Sequence, residues 1–98
     1  MQLPEGAQWA RVNGTGAGTV VLKASRTVLY GILLGQNKTG TATIYNSDTL
    51  AGTAATNHFA VIDNTSGTVP RVLNIGASFN KGITVLTGGT TDMTFIYQ

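Results

Sequence analysis

The stretch Thr39-Gly40-Thr41-Ala42-Thr43-Ile44-Tyr45 decides the class of fold. In an extended chain Thr39, Thr41, Thr43 and Tyr45 fall on one side and Ala42 and Ile44 on the other, the period-two pattern of a half-buried strand. The alternation returns near the end of the chain, where Met93, Phe95 and Tyr97 interleave with Thr94 and Ile96. Val28 to Leu34 is apolar at every position except Gly31, as expected of a strand covered on both faces. Val, Ile and Thr together supply 30 of the 98 residues, and their β-branched side chains are stiff at χ1 and suit a pleated surface better than a helix.

Working outward, short alternating segments are separated by Gly, Asn, Asp or Pro clusters at nearly regular spacing. Strands are predicted at about 8–12, 19–24, 27–36, 40–46, 57–62, 70–75, 82–87 and 92–97. About eight strands so spaced predict an all-β fold, an antiparallel β-sandwich of jelly-roll type. Residues 8–98 are expected to form one domain. Residues 1–7, with Pro4 and Gly6 among them, are expected to form a flexible amino-terminal arm. No helical period competes, because Gly6 and Gly14 confine any helix in this region to a single turn. Turns are expected at Asn37-Lys38-Thr39-Gly40 and at Asn64-Thr65-Ser66-Gly67, with a tight hairpin at Gly88-Gly89 and a flexible connector at Gly14 to Gly18.

Charge is the largest departure from an average composition. Asp, Glu, Lys and Arg make up 10% of the residues, against about 25% in ordinary soluble domains. The six basic residues are scattered singly and give a net charge of only +2, so the basic stripe of a nucleic-acid-binding surface is missing. The longest mainly apolar run, Val28 to Gly35, is far shorter than the roughly 20 residues of a membrane-spanning helix. The opening MQLPEGAQWA has neither a basic region nor an apolar core, so no secretory leader is expected. There is no cysteine, hence no disulfide to supplement the core. A surface of Thr, Asn and Gly in place of charges protects strands poorly against self-association. A homo-oligomer is therefore expected.

Chemistry-bearing motifs are sparse. The run Gly14 to Gly18 lacks the Lys-Ser/Thr of a phosphate loop. His58 is the only histidine, and no Ser or Cys stands in a nucleophile motif beside it. Asp48, Asp63 and Asp92 fall in separate predicted loops, without calcium-loop spacing. No catalytic residue, metal ligand or cofactor site is expected, and the chain is not expected to be an enzyme. Asn13, Asn37 and Asn64 each open an Asn-X-Ser/Thr triplet, which without a secretory leader is a coincidence of a Thr-rich chain. Trp9, Tyr30, Tyr45 and Tyr97 are candidates for a sugar-stacking platform, although aromatic residues on alternating strands more commonly serve cores and interfaces. Trp and Arg are the usual interface anchors. Leu3, Pro4, Trp9 and Arg11 are accordingly the candidate partner-binding residues.

From Tyr30 onward the chain resembles a group of small Gly/Thr-rich bacteriophage virion proteins. The resemblance is carried by Gly31-Ile32-Leu33, by Thr41-Ala42-Thr43-Ile44-Tyr45-Asn46 leading into Asp48-Thr49-Leu50-Ala51-Gly52-Thr53, and by the closing segment from Phe79 through Gly88-Gly89 to Tyr97. It implies a virion component assembled in the host cytoplasm, a capsid decoration or cement protein. Such a protein would bind the major capsid protein and itself, preferably as a trimer, with no nucleic-acid or membrane partner. The alternative from another class is a receptor- or carbohydrate-binding module of a phage tail or a bacterial surface protein.

Overall fold

A computed structural model describes residues 3, 5–16, 18–49, 57–64 and 70–98. Eight strands follow in order: β1 (Gln8–Thr15), β2 (Gly18–Lys23), β3 (Thr27–Leu34), β4 (Thr41–Asn46), β5 (His58–Asp63), β6 (Arg71–Phe79), β7 (Ile83–Gly88) and β8 (Thr90–Tyr97). They build two four-stranded sheets, β1-β8-β3-β6 and β2-β7-β4-β5, with every neighbouring pair antiparallel. The pairs β1·β8, β2·β7, β3·β6 and β4·β5 are those of one long hairpin whose tip lies between β4 and β5. Rolling that hairpin adds β3·β8 and β4·β7 and splits it into two layers, which is the jelly roll.

The core lies between the layers and comes mainly from the four central strands. Leu29, Ile32 and Leu34 of β3 and Met93, Phe95 and Tyr97 of β8 face Ala42 and Ile44 of β4 and Ile83 and Val85 of β7. Of the edge strands, β1 contributes Val12 and β6 contributes Phe79. The alternations of the sequence appear as expected: Ala42 and Ile44 point inward while Thr41, Thr43 and Tyr45 point outward.

Four local expectations are corrected. Val28 to Leu34 is not covered by a layer on each face, because a two-layer sandwich has only one interior. Val28 and Leu33 on its outer face are half-buried by lateral neighbours, since β3 lies between β6 and β8. Gly14 and Thr15 belong to β1, opposite Thr91 and Thr90, and Gly18 opens β2, so little of that glycine run remains as a connector. Gly88-Gly89 does not close a hairpin, because β7 and β8 lie in different sheets. It is a corner between layers, with Gly89 at φ 73° and Gly40 packed against it backbone to backbone. A Cβ on Gly40 would lie 2.4 Å from the Gly88 carbonyl oxygen and 2.5 Å from that of Thr90. Finally, Asp92 is inside β8 and Asp63 ends β5, so neither is a loop residue.

Candidate interaction surface

Along β1 the side chains of Trp9, Arg11 and Asn13 fall on the outer face, alternating with Ala10 and Val12 toward the core. Trp9 is 72% exposed, the least protected large apolar side chain among the described residues. Register carries the surface across the sheet: Trp9 is opposite Ile96, while Arg11, Thr94, Leu33 and Val72 line up across all four strands. Trp9, Ile96, Leu33 and Val72 thus form an apolar diagonal, exposed at its two ends and half-buried in the middle. The outer face of the second sheet repeats the theme more weakly, with Leu86 and Val61 flanking Thr43.

Arg11 is fixed by Asp92. Its Nε and Nη2 donate to Oδ1 and Oδ2, each at 2.9 Å. The bidentate hydrogen bond holds the Asp92 carboxyl below the usual carboxylate range, against the opposing effect of its burial and with help from the charges of Arg11 and Lys38. The same contact raises Arg11 above its already high usual value. Asp92 is held in turn by Asn64, which is wholly buried. The Asn64 Oδ1 accepts the Asp92 backbone N–H at 2.7 Å and its Nδ2 donates to the Gln36 carbonyl at 2.8 Å. Its own N–H donates to the Gly40 carbonyl at 3.0 Å, and its carbonyl accepts from Lys38 N–H at 3.3 Å. One asparagine therefore ties the end of β5 to β8 and to the β3–β4 connection.

Above this network lies a shallow polar hollow of about 220 Å³, bordered by Arg11, Asn13, Gln36, Lys38, Thr90 and Asp92. It is smaller than the roughly 300–1,000 Å³ of a pocket that engulfs an organic ligand. A second hollow of about 330 Å³ lies by Arg26, Val28, Phe79 and Asn80. Among the described residues no three His, Asp or Glu side chains converge on a common point. His58 is exposed and packs edge-on against Tyr45, with ring centroids 5.8 Å apart.

Of the candidate partner-binding residues, Trp9 and Arg11 stand side by side on the outer face of β1. Leu3 is 44% exposed, and Pro4 lies outside the described residues. The aromatic candidates do not assemble into one platform. Tyr97 is in the core, Tyr45 is on the opposite sheet, and the Tyr30 hydroxyl donates to Gln98 Oε1 at 2.7 Å. Sequence reasoning missed Asn64 and the Arg11–Asp92 pair, whose members are 81 positions apart and carry no local signal. It also missed Leu33, Val72 and Ile96 as outer-face residues, although period two within each strand contains that information. No known protein family matches the chain, and no curated protein or solved structure matches it either.

Proposed function

We propose that the chain is a non-enzymatic structural protein of a bacteriophage particle, a capsid decoration or cement protein that bridges capsid subunits and associates with itself. The observation that carries this reading is the apolar diagonal from Trp9 to Val72 on a charge-poor sandwich. A weakly charged sheet face with an exposed indole suits a protein partner better than a small ligand. The resemblance of the chain from Tyr30 onward to phage virion proteins supplies the partner: the major capsid protein. Bridging would make internal pressure break the added contacts as well as those of the shell. Modest affinities would sum over the many copies on one particle.

Trp9 is the only tryptophan, so its fluorescence tests the proposal directly. On mixing with undecorated heads encoded by the same genome, the emission should shift to the blue as the indole leaves water. Trp9→Ala should weaken occupancy by about 2 kcal/mol, roughly 30-fold, the scale of one interface anchor. The exposed indole, next along the outer face of β1 from Arg11 at the border of the polar hollow, also favours, less strongly, a carbohydrate-binding module. A saturable shift with one class of host glycan and none with heads would decide for that second reading.

A further inference from the structure

Among the described residues, four strands lie at sheet edges: β1 and β6 in one sheet, β2 and β5 in the other. Three of them are irregular. The β3·β6 ladder shifts register between Leu29 and Gly31, with Gly76 of β6 at φ 70°. The β2 ladder shifts between Val21 and Lys23, and the β5 ladder slips where Ile44 pairs with Ala60 and Tyr45 with His58. Bulges of this kind twist an edge away from pairing with another chain. Only β1 keeps unbroken register over all eight of its residues; Gly14, at φ 149°, still holds its place opposite Thr91. It contains no proline, and its single charged side chain, Arg11, is already held by Asp92.

The direction of its free backbone groups follows from three hydrogen bonds. Gly16 N–H donates to the Gly89 carbonyl at 2.9 Å, continuing the register that pairs Thr15 with Thr90. Bonded and non-bonded pairs alternate in an antiparallel ladder, so Gly14, Val12, Ala10 and Gln8 bond to β8. Trp9, Arg11, Asn13 and Thr15 then aim their N–H and C=O groups at the open side. The N–H groups of Asp92 and Gln98 agree, since they go to Asn64 Oδ1 and to the Val28 carbonyl, away from β1.

We propose that β1 is a self-pairing edge, at which two copies of this chain join antiparallel about a two-fold axis passing between their Val12 residues. Two four-stranded sheets then become one of eight. Trp9 lies opposite Thr15 of the second copy and Arg11 opposite Asn13, so all four outward-bonding residues find a partner. Centring the pairing on Arg11 instead would place the two cationic Arg11 residues directly opposite each other, and like charges directly opposite are destabilising. Centring it on Asn13 would carry Trp9 past Thr15 and give up one pair of bonds. The edge is thus complementary to itself in one register, which selects a second copy over a foreign strand. A closed two-fold contact gives a dimer in place of the trimer that the family resemblance implies. Two edge strands bury less than the about 800 Å² per partner of a standard interface, so the dimer should be weak. The inference is independent of the virion proposal, because a cement protein can bind as a monomer and a self-pairing sandwich need not belong to a particle.

Sedimentation velocity from micromolar to millimolar concentration, on the full chain and on Asn13→Pro, tests the pairing. Proline removes an N–H that faces the open side and touches none of the bonds to β8. The full chain should dimerise, and the variant should keep its β spectrum while dimerising at least about tenfold more weakly. Asn13→Lys, which keeps the N–H but places a cation opposite Arg11 of the second copy, should weaken the dimer in the same direction and stands in if the proline variant unfolds. For the register, Val12→Cys in this cysteine-free chain should form a disulfide-linked dimer on oxidation, whereas Gln8→Cys should not. If Val12→Cys fails to fold, a mixture of Trp9→Cys and Thr15→Cys should cross-link to each other in preference to themselves. A monomer at millimolar concentration, a trimer, or a dimer indifferent to both Asn13 variants overturns the proposal.

Discussion

Asn64 and Asp92 carry the most consequence per atom. The Asn64 side chain satisfies the buried N–H of Asp92 and the carbonyl of Gln36, and the latter can turn to water because Gln36 is exposed. Asn64→Ala should therefore cost about 2–3 kcal/mol, the penalty of one buried unpaired donor plus a small void, measured as a lower urea midpoint at unchanged slope. The pH dependence of Asp92 follows from its lowered pKa. Its contribution is complete above the ordinary carboxylate range and is lost as pH falls through the depressed value. The effect on Arg11 changes only in strong alkali, above its raised value. Asp92→Asn should flatten part of the acid limb of the stability curve while leaving its shape between pH 5 and 8 untouched; an identical acid limb would remove the pair from the stability account. Neither residue stood out in the sequence. Asn64 looked like a turn former with a chance glycosylation triplet, and its burial depends on β8 and the β3–β4 connection closing over it, a tertiary fact with no local pattern.

At the scale of elements, the sequence located all eight strands to within a few residues, because period two is imposed locally by the pleat and survives any tertiary arrangement. What it misjudged were ends and corners. β6 runs on to Phe79, beyond the predicted 75, because Gly76 bulges within the strand without ending it. Gly88-Gly89 carries hairpin composition, yet positive φ serves a corner between layers equally well, and only the pairing of β7 with β4 and β2 tells the two apart. That corner yields a sharp contrast between glycines. Gly40→Ala would drive a Cβ into two backbone carbonyls, which cannot rotate away as a side chain can. It should cost about 3 kcal/mol or more, lowering the melting temperature by roughly 12–24 °C for a domain of this size. Gly35→Ala, with nothing within 4 Å of its added carbon, should shift it by no more than a few degrees, and equal effects at the two sites would refute the close packing of the corner.

At the scale of the whole molecule, the jelly roll makes the distant parts of the chain its nearest neighbours. β1 pairs with β8 and β2 with β7, so the outermost strands cannot be secured until nearly the entire chain has closed, and folding should be slow for a chain this short. The same topology predicts where a cross-link stabilises most. Thr15 and Thr90 are register partners whose hydroxyls lie 3.5 Å apart across a sequence separation of 75, so cysteines there can meet without moving the backbone. Thr43 and Val61 are also register partners, but they flank the tip of the long hairpin and are separated by only about 18 positions. In the chain-entropy account, stabilisation grows with the logarithm of the closed loop, which favours Thr15→Cys/Thr90→Cys over Thr43→Cys/Val61→Cys by about 1 kcal/mol. Each oxidised variant should be compared with its own reduced form by guanidinium denaturation, so that the substitutions themselves cancel. The outer cross-link should add about 2–4 kcal/mol and the inner one measurably less. Since closing β1 onto β8 completes the roll, the outer cross-link should also accelerate refolding while the inner one leaves it nearly unchanged. Equal gains from both would mean that the unfolded chain already holds its ends together.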